Sequence, residues 1–283
     1  MSTTFNYFIG FSLIYVLMTW SIYLPYRVKD LHFLSVAIMA VTAYFAGVAA
    51  VNWGWPFYLV LISGILLGAL ISFLVSFIIG DVPTFTVVIV GITFIFIIKT
   101  IIENTDYLGG TMGFFAIPAA NNILVIIAIT TIIVGYILFM IDHSQLGRAA
   151  SVIFEDKNMA YSLGIKPKKI GQLFQTISGA IAGSSGVLYA YFTGSLFPDF
   201  FSFHLVGTLM TILFIGGYST MWGVVFSALF LGGVPILLPS AVSSWKTLIY
   251  GILLVSIILI KPDGLITRKF LWKSKNKLKE MRK

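Results

Sequence analysis

The chain contains no cysteine, and this absence excludes disulfide bonds and thiolate metal sites. Charged residues are also scarce, because Asp, Glu, Lys and Arg together make up only 10% of the 283 residues. A soluble domain usually carries about 25% charged residues, so this chain cannot cover a water-facing surface. Its mean hydropathy of +1.00 supports the same conclusion. We therefore exclude a soluble globular fold.

The sequence also lacks the motifs that carry chemistry. No Gly-Lys dipeptide occurs, which excludes a phosphate-binding loop of the G-x-x-x-x-G-K-[ST] type. The histidines His32, His143 and His204 are far apart and show no H-E-x-x-H spacing, and no G-x-S-x-G motif marks a nucleophilic serine. We expect no catalytic residue, no metal and no cofactor. Any ATP hydrolysis must then be performed by another chain.

Long apolar runs are what the sequence does contain, and they do not alternate with polar residues. About 20 apolar residues in a helix cross a ~30 Å hydrocarbon core, whereas a membrane β-strand alternates over about ten residues. The sequence therefore predicts an all-α, polytopic helical membrane protein. The predicted spans are 5–25, 33–51, 57–79, 83–102, 122–141, 172–193 and 247–261.

One further apolar region, 204–238, is interrupted by the stretch 216–220, which begins with two glycines, and is closed by Pro235 and Pro239. This region could form two crossings or a re-entrant hairpin. Both return the chain to the same side of the membrane, so charge counting cannot separate them. We expect about eight to nine spans in total, including this broken or re-entrant region.

The basic residues are distributed unevenly among the loops. Sixteen of the 18 Lys and Arg residues fall in the segments 26–32, 142–171 and 261–283, which leaves Lys99 and Lys246 elsewhere. Basic loops stay on the cytoplasmic side of a membrane, so these segments are predicted to be cytoplasmic, with the N-terminus outside and the C-terminus inside. The basic tail is expected to bind anionic lipid headgroups, and it carries no nucleic-acid-binding module.

Ionisable residues are nearly missing from the interior of the predicted spans, where they usually mark a function. Lys99 lies near the outer end of its helix, and His204 stands at the start of the broken region. A proton-coupled carrier typically has an Asp, Glu or His relay at mid-depth. Proton coupling is therefore disfavoured, although sodium coupling through backbone carbonyls stays open.

The long cytoplasmic loop 142–171 carries helix signals of its own. Glu155 and Asp156 suit the first turn of a short helix, whose positive end attracts carboxylates. Gly164 suits the left-handed position just past a helix end, and Pro167 prevents continuation. We therefore predict a two-turn helix at the cytoplasmic surface, ended by a glycine turn.

This short helix is predicted to have an apolar face formed by Met159, Ala160 and Leu163. A helix of two turns is marginal by itself, so something should cover that face. The cover could be the span ends of the same chain or a soluble partner. The pattern alone does not choose between these two hypotheses.

Short motifs recur in a fixed order in this loop and beyond it. They are Gly109-Gly110, Gly147-Arg148-Ala149, Glu155-Asp156, Ala160, Leu163-Gly164-Ile165, the small-residue helix 178–190, Pro198, Phe200-Phe201, Gly216-Gly217 through Trp222-Gly223, and Pro262-Asp263-Gly264-Leu265. Together these motifs resemble the ATPase-docking loop and neighbouring helices of ABC importer permeases. Their order and spacing are similar to the branched-chain amino acid permease family of the LivM type, most densely over residues 103–266.

The resemblance implies a permease subunit of an ATP-driven importer in the plasma (inner) membrane, carrying branched-chain or related amino acids. The implied partners are two cytoplasmic ATP-binding subunits, a second permease subunit in a heterodimer, and an external solute-binding protein. Residues 1–266 would form one transmembrane permease domain, with 142–171 as its ATPase-docking loop, and 267–283 a basic cytoplasmic tail. The residues that it assigns to ATPase coupling are Arg148, Glu155, Asp156, Ala160, Leu163 and Gly164.

Two groups of small residues have different interpretations. Gly179, Gly183 and Gly186 recur on one helix face and predict close helix packing, within the chain or against a second permease. Unwound backbone in a membrane is tolerated only where protein or a water cavity satisfies it, so the break near 216 is a gate or pathway candidate. The pathway candidates are Gly216, Gly217, Ser219 and Trp222.

Two other functions stay open on the residues alone. The chain could be a stand-alone secondary carrier for a small polar solute, or a structural or assembly membrane protein. Neither alternative needs an ATP-binding partner. Co-purification of an ATPase would therefore separate the importer from both alternatives.

Overall fold

A computed structural model describes residues 2–79, 82–218 and 220–237, with six separate positions between 248 and 259. The predicted span 247–261, apart from those positions, and the basic tail 267–283 lie outside the described residues. The described part is helical and contains no strand, only the isolated bridge Phe114–Leu196. Together with the apolar helices, this confirms the prediction of an all-α, polytopic membrane protein.

The described residues form ten α-helices and three short 3-10 turns. The α-helices are α1 Ser2–Tyr26, α2 Leu34–Val51, α3 Phe57–Ile79, α4 Thr84–Glu103, α5 Ile123–His143, α6 Gln145–Glu155, α7 Lys157–Ser162, α8 Pro167–Thr193, α9 Phe203–Gly216 and α10 Met221–Leu237. The 3-10 turns are Asp106–Leu108, Gly110–Met112 and Pro198–Phe201.

Five of these helices, α1 to α5, are long and apolar enough to cross a membrane. The predicted span 172–193 lies within α8, which is long enough but not apolar enough to join that set. The reason is its position, because α8 packs against α1, α2 and α3. A helix surrounded by protein can be built from small and hydroxyl residues, which allow close approach, rather than from lipid-facing apolar ones.

The helices divide into a central and a peripheral group. Of the apolar, membrane-spanning segment of α2, 78% is buried within the chain, whereas only 22% of the corresponding segment is buried in α4 and 22% in α5. The outer faces of α3, α4 and α5 therefore carry large exposed apolar side chains, such as Phe77, Phe85 and Ile132. These faces suit lipid or another apolar protein surface.

The bundle has two ends, which side-chain contacts identify. Arg27 after α1 pairs with Asp142 near the end of α5, and α6, α7 and the start of α8 lie at this end, which we call the α7 end. At the opposite end, Lys99 of α4 pairs with Asp199 of the turn before α9. Of the described Lys and Arg residues, all except Lys99 lie at the α7 end: Arg27, Lys29, Arg148, Lys157, Lys166, Lys168 and Lys169.

The broken apolar region forms a helical hairpin. Helix α9 starts beside the turn that holds Asp199, at the opposite end, and stops near Tyr218, whose ring contacts Tyr26 at the α7 end. Helix α10 then returns antiparallel to α9, and Ser227 of α10 donates a hydrogen bond to the Ile212 carbonyl, 2.6 Å away. Both helices are shorter than the five candidate spans, with 14 residues in α9 and 17 in α10.

Candidate functional site

Helix α6 begins the amphipathic pair that projects from the α7 end. Ser144 caps it, because its hydroxyl oxygen accepts a hydrogen bond from the Leu146 amide at 3.1 Å. Ala150 and Ile153 are buried, whereas Arg148 and Glu155 are exposed. Helix α6 therefore lies with one face against the bundle and the other toward solvent.

Asp156 separates α6 from α7, which corrects the prediction of one helix with Glu155 in its first turn. Its backbone is extended, with φ −150° and ψ 121°, and its carboxylate accepts a hydrogen bond from the Asn158 amide at 2.7 Å. Asp156 is thus the N-cap of α7, a position that favours aspartate. Glu155 is instead the last residue of α6.

Gly164 closes α7 in the left-handed conformation that the sequence predicted, with φ +75°. The Gly164 amide donates to the Tyr161 carbonyl and the Ile165 amide to the Ala160 carbonyl, both at 3.0 Å. These two bonds are the Schellman arrangement, which satisfies carbonyls that a helix end would leave unpaired. The two capped ends fix the length of α7 at six residues.

The predicted apolar face of α7 is divided between two environments. Ala160 is fully buried, whereas Met159, Tyr161 and Leu163 are each more than half exposed. The rest of the chain therefore covers only Ala160 of this face. What remains is an exposed patch of Met159 and Leu163, four residues apart on one side of the helix, which we call the α7 patch. Tyr161, which the sequence interpretation missed, is two residues from each and lies on the other side of α7.

A buried arginine ties this helix pair to the bundle. Arg27 donates to Asp142 at 2.8 Å and to the Tyr23 hydroxyl at 3.1 Å, and its guanidinium also reaches Ser151 of α6 at 3.4 Å. The side chains of Arg27 and Asp142 are only 7% and 15% exposed. Removing one partner of such a pair leaves an uncompensated buried charge, which is strongly destabilising. Arg27 therefore holds α1, α5 and α6 together.

An aromatic cluster makes a second connection, from α6 to the turn between α9 and α10. The Phe154 ring stacks on Tyr218 with centroids 5.7 Å apart, and Tyr26 meets the Phe154 and Tyr218 rings edge-on at 5.9 and 5.5 Å. The Lys29 ammonium lies 5.1 Å from the Phe154 centroid. A displacement of α6 would therefore disturb contacts with both α1 and the α9–α10 turn.

Sequence reasoning missed Arg27 and this cluster as parts of the site. Arg27 contributed only to the count of basic residues, and Phe154 and Tyr218 lie 64 positions apart in the sequence. One signal was available: Asp142 is an acid at the end of an apolar run, next to a membrane, and such a residue generally needs a partner.

The small residues of α8 lie against two neighbouring helices. A Cβ on Gly179 would be 2.4 Å from the Gly68 carbonyl oxygen of α3, and one on Gly183 would be 2.3 Å from the Gly64 carbonyl oxygen. Gly186 lies equally close to α2, at the Met39 carbonyl. These glycine faces are occupied within the chain, so they do not form a free surface for a second permease.

The pathway candidates lie around the α9–α10 turn. Gly216 approaches Gly223 so closely that a Cβ on it would be 2.3 Å from the Gly223 carbonyl oxygen. Gly217 has φ +98° and ends α9, Trp222 is 50% exposed, and Ser219 lies outside the described residues. Alongside is an apolar groove of about 480 Å³, lined by Ile215, Gly216, Gly223, Phe226, Ser227, Leu229 and Phe230.

Antiparallel apolar helices, with basic residues concentrated at one end beside an amphipathic helix pair, define a multi-pass helical membrane protein. A family model described as "Branched-chain amino acid transport system / permease component" matches residues 4–258. The chain belongs to this family, so the resemblance read from the sequence motifs is confirmed.

Curated relatives carry names from the same family. The chain is 29% identical over 150 residues to the high-affinity branched-chain amino acid transport system permease protein LivM of Escherichia coli (strain K12), an alignment covering 52% of this chain and 35% of LivM. It is 27% identical over 166 residues to the corresponding LivH protein of Salmonella typhimurium, covering 58% of this chain and 54% of LivH. The matches thus span about a third to a half of these relatives. No solved structure gives a significant match.

Proposed function

We propose that the chain is a permease subunit of an ATP-driven importer that carries branched-chain or related amino acids across the inner membrane. Membership of the permease family supports the class of protein. The observation that carries the coupling role is the α7 patch, a compact apolar surface on a helix with both ends capped. Exposed apolar residues on a rigid support are typical of a protein-binding surface.

The proposed partners are two cytoplasmic ATP-binding subunits, a second permease subunit and an external solute-binding protein. LivM and LivH of Escherichia coli (strain K12) are both named as permease proteins of a high-affinity branched-chain amino acid transport system, which supports a pair of permeases. The concentration of basic residues at the α7 end supports a cytoplasmic position for the α7 patch. The solute-binding protein would then dock at the opposite end, near residues 103–121 and 194–203.

The proposed mechanism is alternating access driven by the ATP-binding subunits. When these subunits close on ATP, they would move the α6–α7 pair, with Arg148, Glu155, Asp156, Ala160, Leu163 and Gly164 at or beside the contact. Arg27 and the aromatic cluster would pass that movement to α1 and to the α9–α10 turn. In this mechanism the chain provides the translocation path and the α6–α7 pair that transmits the movement, and the ATP-binding subunits hydrolyse ATP.

We place the translocation path beside the α9–α10 hairpin, with Gly216, Gly217, Ser219 and Trp222 as its gate. The neighbouring groove supports this role, because its lining is apolar and suits aliphatic side chains such as those of leucine or valine. Small residues at Gly216 and Gly223 let the two helices slide or separate without bulky side chains between them.

The test is a pull-down of the tagged chain in mild detergent, followed by mass spectrometry. We expect ATP-binding subunits and a second permease to be recovered with the wild-type chain. A Leu163→Glu variant places a charge in the α7 patch and should reduce recovery of the ATP-binding subunits at least about tenfold, which corresponds to about 1.4 kcal/mol.

The matched control is Met112→Glu, at a residue that is 80% exposed at the opposite end of the bundle. It should leave the ATP-binding subunits bound. A chain that is free of partners in every mild detergent would contradict the importer and favour the secondary carrier. Equal recovery with Leu163→Glu would contradict the α7 patch as the docking surface.

A further inference from the structure

A polar cavity of about 220 Å³ lies directly beneath α7, between α7 and the rest of the bundle. It is distinct from the α7 patch, which faces outward. Its size is below the ~300–1,000 Å³ typical of drug-sized ligands, so it fits a molecule no larger than a single amino acid. The polar side chains that line it come from four parts of the fold, namely the α1–α2 connection, α3, α7 and α8: Asp30, Ser76, Lys157, Tyr161, Lys168, Gln172 and Gln175.

The charges at this cavity are of both signs. The Asp30 carboxylate and the Lys157 ammonium are 3.9 Å apart, which is too long for a hydrogen bond. Burial raises the pKa of Asp30, while the nearby Lys157 lowers it. Gly171 of α8 makes room for the carboxylate, because a Cβ there would be 3.1 Å from an Asp30 oxygen. Asp30 can therefore still accept a close hydrogen bond from a cation.

Gln175 adds a group whose hydrogen bonding is incomplete. It lines the cavity, is only 7% exposed, and its side-chain nitrogen has no hydrogen-bond partner within the described part of the chain. A buried amide donor without an acceptor carries a desolvation penalty of about 1–3 kcal/mol. An anionic group in the cavity would relieve that penalty.

We propose that this cavity binds a small zwitterion, with its primary ammonium group at Asp30 and its anionic group toward Lys157 and the Gln175 amide. The presence of Asp30 argues against a simple anion as the ligand, and the presence of Lys157 and Lys168 argues against a simple cation. Two sources share this chemistry: a free amino acid and the headgroup of phosphatidylethanolamine.

Such a ligand would act on the position of α7. Lys157 and Tyr161 belong to α7, whereas Asp30 belongs to the α1–α2 connection and Gln175 to α8. A bound zwitterion would therefore hold α7 against the bundle. This regulatory consequence rests on the proposed docking function of α7, but binding itself does not.

Thermal unfolding of the purified full chain in detergent tests the site without any transport partner. Millimolar L-leucine should raise the unfolding midpoint by several degrees, because a ligand that binds the folded state stabilises it. Isoamylamine, which lacks the carboxylate, and 4-methylpentanoate, which lacks the ammonium, should each raise it by less than half as much. No shift with leucine or with phosphatidylethanolamine would overturn the proposal.

Substitutions of cavity residues test whether the ligand binds in this cavity. Asp30→Asn and Lys157→Met should each abolish the shift, whereas Lys169→Met, at an exposed lysine of α8 outside the cavity lining, should preserve it. An unchanged shift in Asp30→Asn would overturn the proposal and move binding to the translocation path. In nanodiscs, stabilisation by phosphatidylethanolamine that depends on Asp30 would support the site with lipid as its source. Equal stabilisation by phosphatidylglycerol would overturn it.

Discussion

Gly164 has a backbone conformation that few residue types adopt without strain. Its φ of +75° is in the left-handed region, yet a Cβ built on it meets nothing within 4 Å. Any effect of substitution must therefore come from the backbone and not from a clash. Asparagine tolerates this region better than other residues with a side chain, and β-branched residues tolerate it least.

We predict that Gly164→Val unravels the last turn of α7, at a local cost of about 1–2 kcal/mol. The variant should insert normally but lose most of its ATP-binding subunits in the pull-down, whereas Gly164→Asn should keep them. Equal recovery with both variants would show that the left-handed turn does not support docking.

His32 is a second residue whose surroundings predict a measurable effect. It lies between α1 and α2, is buried, and neither ring nitrogen has a hydrogen-bond partner among the described residues. Burial disfavours the charged imidazolium and lowers the pKa of His32 from 6.5 to about 4. The folded state therefore keeps His32 neutral in mild acid, while the unfolded state takes up a proton.

The stabilising contribution of neutral His32 is fully present above pH 6.5 and is lost as the pH falls toward 4. The loss is at most on the order of 3 kcal/mol, at about 1.4 kcal/mol per pH unit. We predict that His32→Met reduces the acid sensitivity of the unfolding midpoint between pH 6.5 and 4. The control His143→Met, at an exposed histidine, should not. If the unfolding midpoints of the wild type and of His32→Met fell equally between pH 6.5 and 4, the prediction would be contradicted.

At the scale of helices, the crossing of α3 and α8 depends on glycine. A Cβ on Gly68 would be 2.3 Å from the Gly179 carbonyl oxygen and 2.9 Å from the Gly183 Cα. Both neighbours are backbone atoms, which cannot move away without moving the helix. Gly207 of α9 offers a contrast, because a Cβ there meets nothing within 4 Å.

We predict that Gly68→Ala separates α3 from α8 and lowers stability by about 1–3 kcal/mol, as expected for an overpacked interior. Gly207→Ala should be neutral or stabilise by up to about 1 kcal/mol, since alanine favours a helix. Unfolding midpoints in detergent compare the two variants. Similar unfolding midpoints for Gly68→Ala and Gly207→Ala would mean that α3 and α8 can move apart with little loss of stability.

The sequence allowed most helices to be predicted to within a few residues, because apolar run length follows directly from membrane thickness. The division of the docking segment at Asp156 was missed, since aspartate suits both an N-cap and a first turn. The Arg27–Asp142 pair was also missed. Its members are 115 positions apart, and only the packing of α1 on α5 and α6 brings them together.

At the scale of the whole molecule, the two ends of the bundle differ in charge and in the surfaces they expose. All described Lys and Arg residues except Lys99 lie at the α7 end, and the 3-10 turns lie at the opposite end. If basic loops stay in the cytoplasm, the α7 patch faces the cytoplasm and Met112 faces outward. The absence of cysteine makes this orientation simple to measure, because each introduced thiol is unique.

We predict that a membrane-impermeant maleimide labels Met112→Cys in intact cells or spheroplasts, and labels Ser162→Cys only after the membrane is permeabilised. Both positions are exposed, at opposite ends of the bundle. Ala190→Cys, at a fully buried position of α8, is the control that should stay unlabelled until the protein is denatured. The reverse pattern would put the α7 patch outside, where no ATP-binding subunit could reach it, and would exclude the proposed coupling role even if the chain proved to be a permease.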